Sequence, residues 1–178
     1  MGLAFNGTTP NLNYAVNRLN KLHSKASNII SGLVHGSGSI ASNEQVEAAV
    51  QWAVKKATSN YITYSRANRN LKILDGTSYD CSSFIITAFY AAGIDVAATY
   101  TGDMRAGFTA AGWTWIPGSY FAASDCQRGD ILLNEINHTQ MYIGDNQDVN
   151  CGNTPAQVEV HSPNYGGVGW DGILRYVG

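Results

Sequence analysis

Apolar residues near the start of the chain recur at alternating intervals of three and four positions, which places their side chains on one face of a helix. Between residues 12 and 33 this seam consists of Leu12, Ala15, Leu19, Leu22, Ala26, Ile29 and Leu33. A strict seam of this kind is typical of a helix that packs on a partner helix. Val16 and Ile30 widen the stripe, as in a helix that docks on its own domain, so both interpretations stay open.

A Gly- and Ser-rich stretch at residues 35–43, HGSGSIASN, separates this helix from the rest of the chain and has the composition of a linker. The charge changes at the same place. Residues 1–43 carry three basic and no acidic side chains, whereas the remainder carries 8 of the 11 basic and all 13 acidic ones, a balance of −5. We therefore predict a helical extension with a linker at residues 1–43 and a folded domain at residues 44–178.

Two helices are predicted early in this domain. The stretch SNEQVEAAVQWAVKKA begins with a capping box of Ser42 and Gln45, and its apolar face contains Val46, Ala49, Val50 and Ala53. The stretch SYDCSSFIITAFYAAG, residues 78–93, follows a turn signal at Asp75-Gly76. Asp80 is a suitable N-cap and Gly93 a suitable end for a helix whose apolar stripe contains Phe84, Ile85, Ala88 and Phe89.

The apolar period changes to two after residue 129, which predicts strands. Residues 131–133 form a buried run, and His138 opens an alternating segment that places Gln140 and Tyr142 on its own face. If the chain reverses around residues 144–146, Asn150 is expected roughly opposite His138 and on the same face. Helices followed by antiparallel strands predict an α+β domain with its helices packed on a central antiparallel sheet.

The composition excludes several classes of function. Charged residues make up 13% of the 178 residues, about half the usual share, and 44% are hydrophobic, as in a globular domain with an uncharged polar surface. A net charge of −2 argues against a nucleic-acid partner. No apolar run approaches the ~18 residues of a membrane span, so we expect no membrane partner, and the first residues lack the pattern of a secretory signal.

The cysteines and histidines do not form a metal motif. Cys81, Cys126 and Cys151 cannot all pair within one chain, so at least one thiol is free. They lack the CxxC spacing of a zinc site, and the histidines contain no HExxH pair. The run GDNQDVNCG does not fit a calcium loop. The sequence predicts no metal and no cofactor.

Cys81 is a candidate nucleophile because it lies in the first turn of a predicted helix. The free N–H groups and the positive dipole end there stabilise a thiolate, and they are suited to hold the oxyanion of a tetrahedral intermediate. The negative charge of Asp80 opposes the thiolate but favours a protonated histidine nearby, so a thiolate–imidazolium pair is the expected form. The alternative is an inert cysteine that packs as a small apolar residue.

His138 is the candidate base, and Asn150 is the candidate residue that orients its imidazole, as in Cys-His-Asn sites. The alternative for His138 is a strand histidine with a purely structural hydrogen bond. His161, in VEVHSPNY, is the rival base, although no sequence argument pairs it with an orienting residue.

The segments YDCSSF, AFYAAG, RGDILL, NHTQMYIGDNQDVNCG and GWDGILRY, taken in this order, resemble the NlpC-type papain-like cysteine hydrolases. Within them, the chain is similar to bacteriophage peptidoglycan hydrolases that act as amidases or endopeptidases. The resemblance spans roughly residues 45–178. It implies a papain-like (NlpC-type) α+β fold with an N-terminal helical extension, and a catalytic domain at residues 44–178.

The resemblance also implies roles for individual residues. The family's nucleophile falls on Cys81, its base on His138 and its third polar residue on Asn150, a position that is often His in the phage group. The family's upstream tyrosine, which lies near the oxyanion, matches Tyr64. The other candidate substrate-binding residues are Asp80, Ser82, Thr101 and Asp103. For Thr101 and Asp103 the alternatives are helix capping and solvation.

A set of aromatic residues has two interpretations. These side chains either line a substrate groove or belong to the core, where Trp and Tyr bury a large area with one polar handle: Trp113, Trp115, Tyr120, Tyr165 and Trp170.

The implied function is hydrolysis of an amide bond of the peptidoglycan peptide stem, by an amidase or an endopeptidase. We expect synthesis in the cytoplasm of the bacterial host without a signal peptide, and action at the cell wall after release by lysis or as a virion component. Residues 10–34 would then mediate oligomerisation or virion attachment. The alternatives are a catalytically silent wall-binding or phage-tail module and a thioester-based acyltransferase.

Overall fold

The structure is a computed structural model that describes residues 43–59, 61–152 and 156–177. Its helices are α1 (Asn43–Ser59), α2 (Cys81–Ala91) and α3 (Thr101–Ala110), with a short 3₁₀ turn at Ala123–Asp125. The strands are β1 (Thr63–Tyr64), β2 (Ser78–Tyr79), β3 (Trp113–Pro117), β4 (Ile131–Asn134), β5 (His138–Gly144), β6 (Gln147–Asn150), β7 (Gln157–Val160) and β8 (Gly172–Tyr176). The predicted helix at residues 12–33, the linker and the Ser42 cap lie outside the described residues.

Six strands form one sheet in the order β3-β8-β4-β5-β6-β7, and every neighbouring pair is antiparallel. The short strands β1 and β2 form a separate parallel pair beside the start of α2. Helices precede most of the sheet in the chain, which confirms the predicted α+β class. Among the described helices, none is long and apolar enough to cross a membrane.

The alternation along the strands divides the core into two layers. One layer packs the inner strand residues against the helices, with Ile131, Leu133, Met141, Val149 and Leu174 fully buried. The opposite layer is smaller and contains Phe121, Leu132, Tyr142, Trp170 and Ile173. A side chain of this size that leaves water contributes roughly 1.5–3 kcal/mol, so both faces of the central strands stabilise the fold.

Helix α2 follows the prediction closely. The Asp80 side chain accepts hydrogen bonds from the backbone and hydroxyl of Ser83, and the Ser83 hydroxyl accepts from the Asp80 backbone N–H, which completes a capping box. The predicted stripe of Phe84, Ile85, Ala88 and Phe89 is fully buried. Gly93 follows the helix with φ of +84°, a left-handed conformation that glycine adopts without strain. The cap and the stripe together fix where Cys81 lies.

The hairpin between β5 and β6 differs from the prediction in its register. The turn residues Asp145 and Asn146 both have positive φ (51° and 56°), as in a two-residue turn that matches strand twist. Gly144 pairs with Gln147, and a bulge between Tyr142 and Gly144 shifts the register so that Met141 lies opposite Val149. Continued by one pair, this register puts Asn150 opposite Gln140. Asn150 is therefore a diagonal neighbour of His138 on the same face and not its direct partner.

The Arg-Gly-Asp sequence before β4 joins three elements. Arg128 pairs with Glu47 of α1 at 2.7 Å and donates to the Ile143 carbonyl. Asp130 accepts from Arg175 of β8 at 2.6 Å. Gly129 has φ of +93°, and a Cβ there would lie 2.3 Å from Val46 Cγ1, so helix α1 leaves no space for a side chain. This segment holds the helix and the sheet together.

Candidate active site

The Cys81 side chain starts helix α2 and is 7% exposed. It opens onto a cavity of about 570 Å³. Its lining includes Tyr64, Arg66 and Arg69 from the segment before α2 and residues 135–137 from the β4–β5 connection. Ser82, Tyr100, Thr101 and Gly102 complete the lining. The thiol therefore opens onto a groove formed by three separate segments of the chain.

His138 starts strand β5 and opens onto a second cavity of about 210 Å³. This cavity shares Tyr64, Arg66 and Asn137 with the first one, so the two are neighbouring parts of one groove. Helix α2 packs against β5, and a hydrogen bond with the backbone N–H of Thr139 lowers the pKa of the Cys81 thiol. The structure thus brings the predicted nucleophile and the predicted base to the same groove.

Burial raises the pKa of the Cys81 thiol, and the negative charge of Asp80 raises it further. The backbone N–H groups of Thr139, Ser82 and Cys81 itself act in the opposite direction and lower the pKa. The expected stabilisation of a thiolate by N–H groups is present, but it is weaker than the effect of burial. In the ligand-free site the thiol is therefore protonated at neutral pH.

Burial also lowers the pKa of His138 to about 4, so its imidazole is neutral at neutral pH. Its ring stacks on Tyr165, with centroids 4.2 Å apart and planes inclined by 24°. Both shifts disfavour charge, so the resting form is a neutral thiol beside a neutral imidazole. The predicted thiolate–imidazolium pair is not the form that this geometry favours, because both partners are shielded from water.

Asn150 is 3% exposed, and its amide nitrogen donates to Glu159 Oε1 at 2.5 Å. Its Oδ1 is turned towards Gly152, where a Cβ would lie 3.4 Å from it. Gly152 lines the same cavity as His138. Within the described residues, no hydrogen bond joins either ring nitrogen of His138 to a partner, so Asn150 does not bond to the imidazole in this structure.

His161, the rival base, is held in a buried network. Its Nδ1 lies 2.8 Å from Asp148 Oδ2, and its Nε2 lies 2.8 Å from the carbonyl oxygen of Phe121. Burial raises the pKa of Asp148 to about 6, against the opposing effect of His161. Gln140 also donates to Asp148, at 2.7 Å. Both ring nitrogens of His161 are engaged, so of the two histidines in the described part of the chain, His138 is the one that faces the groove.

The predicted substrate-binding residues separate into two groups. Tyr64, Ser82 and Thr101 line the groove. Asp80 does not, because its carboxylate is buried between Arg69, Ser82 and Ser83 and has no access to a ligand. Asp103 does not either, since its carboxylate accepts from the backbone N–H groups of Thr99 and Tyr100 at the start of α3. Asp80 and Asp103 thus have capping roles.

The aromatic residues also separate. Trp113 and Trp170 are buried in the core, and Trp115 is partly buried beneath the Arg105 guanidinium at 4.6 Å. Tyr120 is 63% exposed and lines neither cavity. Only Tyr165 of this set lines the groove. For the others, the core or surface interpretation holds.

Several groove residues were not predicted. Arg66 lies two positions after Tyr64, and its Nε donates to the Tyr64 hydroxyl at 3.1 Å. Arg69 pairs with Asp80 at 2.9 Å. Glu135 and the 86%-exposed Ile136 come from the connection just before His138. Their closeness to Tyr64 and to His138 in the chain was the available signal. Among the described residues, no group of three or more His, Cys, Asp or Glu side chains could hold a metal.

A family model described as an endolysin-like domain matches residues 39–149, more than half of the chain. No curated protein matches the sequence. Among solved structures, the peptidoglycan hydrolase RipB from Mycobacterium tuberculosis is similar with a TM-score of 0.55 at 18% identity, covering 85% of this chain and 78% of RipB.

Two further structures have the same fold. The P60 domain of an antigen from M. avium subspecies paratuberculosis has a TM-score of 0.52 at 18% identity, with 76% of this chain and 96% of that domain covered. A mutant of the resuscitation promoting factor interacting protein RipA has a TM-score of 0.52 at 20% identity, with coverages of 79% and 68%. At such identities the likeness concerns the fold, and it confirms the predicted NlpC-type architecture.

Proposed function

Because the chain belongs to the endolysin-like domain family, we propose that it is a peptidoglycan hydrolase that cleaves an amide bond of the wall peptide by cysteine nucleophilic catalysis. The observation that carries this proposal is the shared groove: Cys81 at the start of α2 and His138 at the start of β5 open onto adjoining cavities. A nucleophile and a base on two different rigid elements, opening onto adjoining cavities, form an arrangement suited to acyl transfer.

Two similarities support this assignment. RipB, which has the same fold, is described as a peptidoglycan hydrolase. RipA, which has the same fold, has been determined with a cysteine, a histidine or a glutamate mutated.

The mechanism begins from the neutral pair. As the Cys81 sulfur attacks the peptide carbonyl carbon, the bare ring nitrogen of His138 takes the thiol proton, so charge develops only during attack. The tetrahedral intermediate collapses when the imidazolium gives its proton to the departing amine and the C–N bond breaks. Water then attacks the thioester, His138 accepts its proton, and the thiol is restored as the acid product leaves.

The oxyanion of the intermediate would lie at the first turn of α2. The N–H groups of Cys81 and Ser82 lower the pKa of the thiol, so they face the sulfur and are suited to a second anion beside it. Tyr64 supplies a hydroxyl from the opposite wall. The Tyr64 oxygen already accepts from Arg66. Its own proton is therefore available as a donor to the oxyanion.

Two different peptidoglycan bonds are candidates for the bond that is cleaved. An N-acetylmuramoyl-L-alanine amidase cleaves between the sugar and the first alanine, whereas an endopeptidase cleaves within the peptide stem or cross-bridge. A phage origin, as an endolysin or as a virion-associated lysin, agrees with the endolysin-like family. In either case the protein acts at the bacterial cell wall. Attachment to a virion or oligomerisation through residues 10–34 is part of the same proposal.

The test is digestion of purified peptidoglycan of several chemotypes by the full chain, with Cys81→Ala as the matched control. Mass spectrometry of the soluble fragments identifies the new termini, and these distinguish amidase from endopeptidase cleavage. Fragments that gain an acyl acceptor instead of water would indicate a transferase. An unchanged fragment profile together with sedimentation on the wall would indicate a binding module, and either result would contradict hydrolysis.

A further inference from the structure

Two residues of strand β7, Gln157 and Glu159, form a hydrogen-bonded chain with the side chain of Asn150. Glu159 Oε1 accepts from the Asn150 amide at 2.5 Å, and Glu159 Oε2 accepts from the Gln157 amide at 2.8 Å. Asn150 lies opposite Gln157 in the β6–β7 register. Asn150 is buried, whereas Glu159 is half-buried. The carboxylate is therefore divided between one buried amide near the groove and one exposed amide.

The position of Glu159 is unfavourable for the sheet. Its direct cross-strand partner is Asp148, and the charge of Glu159 contributes to the raised pKa of that buried carboxyl. Like charges directly opposite each other destabilise an antiparallel pair. Asp148 forms hydrogen bonds with His161 and Gln140. The repulsion from Asp148 thus opposes the stabilisation that the hydrogen bonds of Glu159 give to the strand pair, which makes the carboxylate at position 159 a candidate for a role in the site.

A carboxylate fixes the orientation of a neighbouring amide because it can only accept hydrogen bonds. An asparagine without such a partner can present either its NH₂ group or its oxygen to a given side. With Glu159 in place, the NH₂ group of Asn150 points to β7, and Oδ1 points the other way, towards Gly152. Gly152 and His138 line the same cavity. The amide oxygen is therefore the group that Asn150 turns towards the glycine lining the His138 cavity.

We infer that Glu159 is a positioning residue: by holding the Asn150 amide with its oxygen turned towards the His138 cavity, it favours the His138 tautomer whose N–H is on the Asn150 side and whose bare nitrogen is left for the Cys81 thiol. The catalytic consequence of this selection rests on the proposed hydrolase function. Without Glu159 the amide can turn over and present its NH₂ group to the imidazole. A bare nitrogen would then face Asn150, and the N–H would face the thiol, where it cannot act as a base.

The tautomer itself is measured by nitrogen NMR of the labelled full chain at neutral pH, with the His138 signals assigned by their loss in His138→Gln. The wild type is expected to show one protonated and one bare ring nitrogen. In Glu159→Leu the two nitrogens should move towards a common averaged shift, because both tautomers are populated. Gln157→Leu, which removes only the other partner of Glu159, should keep the wild-type pattern.

The kinetic readout is a double-mutant cycle. Glu159→Leu should lower kcat about tenfold with little change in KM, since a positioned hydrogen bond is lost but no substrate contact. In an Asn150→Ala background the same substitution should have no further effect. Thermal unfolding of each variant confirms that it is folded. A role limited to strand pairing would instead give additive losses and would leave the tautomer unchanged.

The two readouts separate this inference from the proposed function. A single wild-type tautomer that is lost in Glu159→Leu supports positioning even if no wall type is digested, and in that case only the hydrolase proposal fails. An averaged wild-type pattern, or a single tautomer that persists in Glu159→Leu, overturns the positioning role even if the chain digests peptidoglycan.

Discussion

Tyr165 covers one face of the His138 imidazole, with ring centroids 4.2 Å apart. Tyr165 belongs to the segment between β7 and β8, far along the chain from His138, and the buried Trp170 lies behind it at 6.1 Å. The stacked ring keeps water from the imidazole and restricts its rotation. The low pKa of His138 is a consequence of this cover, because burial is its cause.

Removing the cover should change the pH dependence of turnover. His138 acts as a base only when neutral, so kcat/KM should rise with pH through the pKa of about 4 and be level at neutral pH. In Tyr165→Ala, water reaches the ring and the pKa of His138 returns towards its ordinary value near 6.5. The rise of kcat/KM on the acid side of the pH profile should therefore shift to higher pH. The pH profile of fragment release measures this shift. Tyr120→Ala, at an exposed position outside the groove, should leave the pH at which kcat/KM rises unchanged.

The thiol should titrate at high pH in the free protein. Burial and the charge of Asp80 raise the pKa of Cys81, so the rate of iodoacetamide alkylation should increase with pH into the alkaline range. Peptide mass spectrometry separates Cys81 from Cys126 and Cys151, whose pKa values burial raises to about 12. Rapid alkylation that is already level in weak acid would indicate a preformed ion pair and contradict the neutral resting form.

Two substitutions of Asp80 should separate its effect on the free energy of unfolding from its effect on the pKa of the Cys81 thiol. Asp80→Ala removes the N-cap of α2 and leaves Arg69 without its partner, so the free energy of unfolding should fall by about 2–3 kcal/mol. Asp80→Asn keeps an acceptor for the cap and should cost about 1 kcal/mol. It also removes the negative charge, so it should lower the pKa of Cys81. Denaturant unfolding and alkylation profiles measure the two effects, and equal stability losses would contradict the capping role.

The three central residues should differ in the size of their effects. Cys81→Ala should abolish turnover with little change in stability, because a small thiol at the groove contributes little packing. His138→Ala should lower kcat about 10³-fold, as expected for loss of a general base. Asn150→Ala should lower it about tenfold, since it removes orientation only. Single-turnover rates on soluble wall fragments measure these losses, and equal losses for His138→Ala and Asn150→Ala would contradict the assigned roles.

The parts of the fold that the sequence predicted are those set by local patterns. The stripe from Phe84 to Phe89 and the Asp80 cap lie within one short segment, so helix α2 could be located closely. The buried run of β4 and the turn at Asp145-Asn146 are local in the same sense. Cys81 and His138 could be selected because each lies at the start of such an element.

The remaining features depend on contacts between distant segments. The pairing of Asn150 with Glu159 needs the β6–β7 register, and the His161–Asp148 pair needs the same register, so neither could be derived from periodicity. The offset between His138 and Asn150 arises from the position of one turn and one bulge. Arg66 and Glu135 line the cavity of Cys81 together because two irregular connections, distant in the chain, meet there. Asp103 was selected as a peptide contact, whereas its carboxylate caps α3.

The most direct test of the central claim is incubation of purified peptidoglycan with the wild-type chain and with Cys81→Ala, followed by mass spectrometry of the released fragments. We predict fragments with new termini at one amide bond from the wild type and none from the variant. Equal fragment release by both proteins, or no release by the wild type from any wall type, would contradict a cysteine hydrolase.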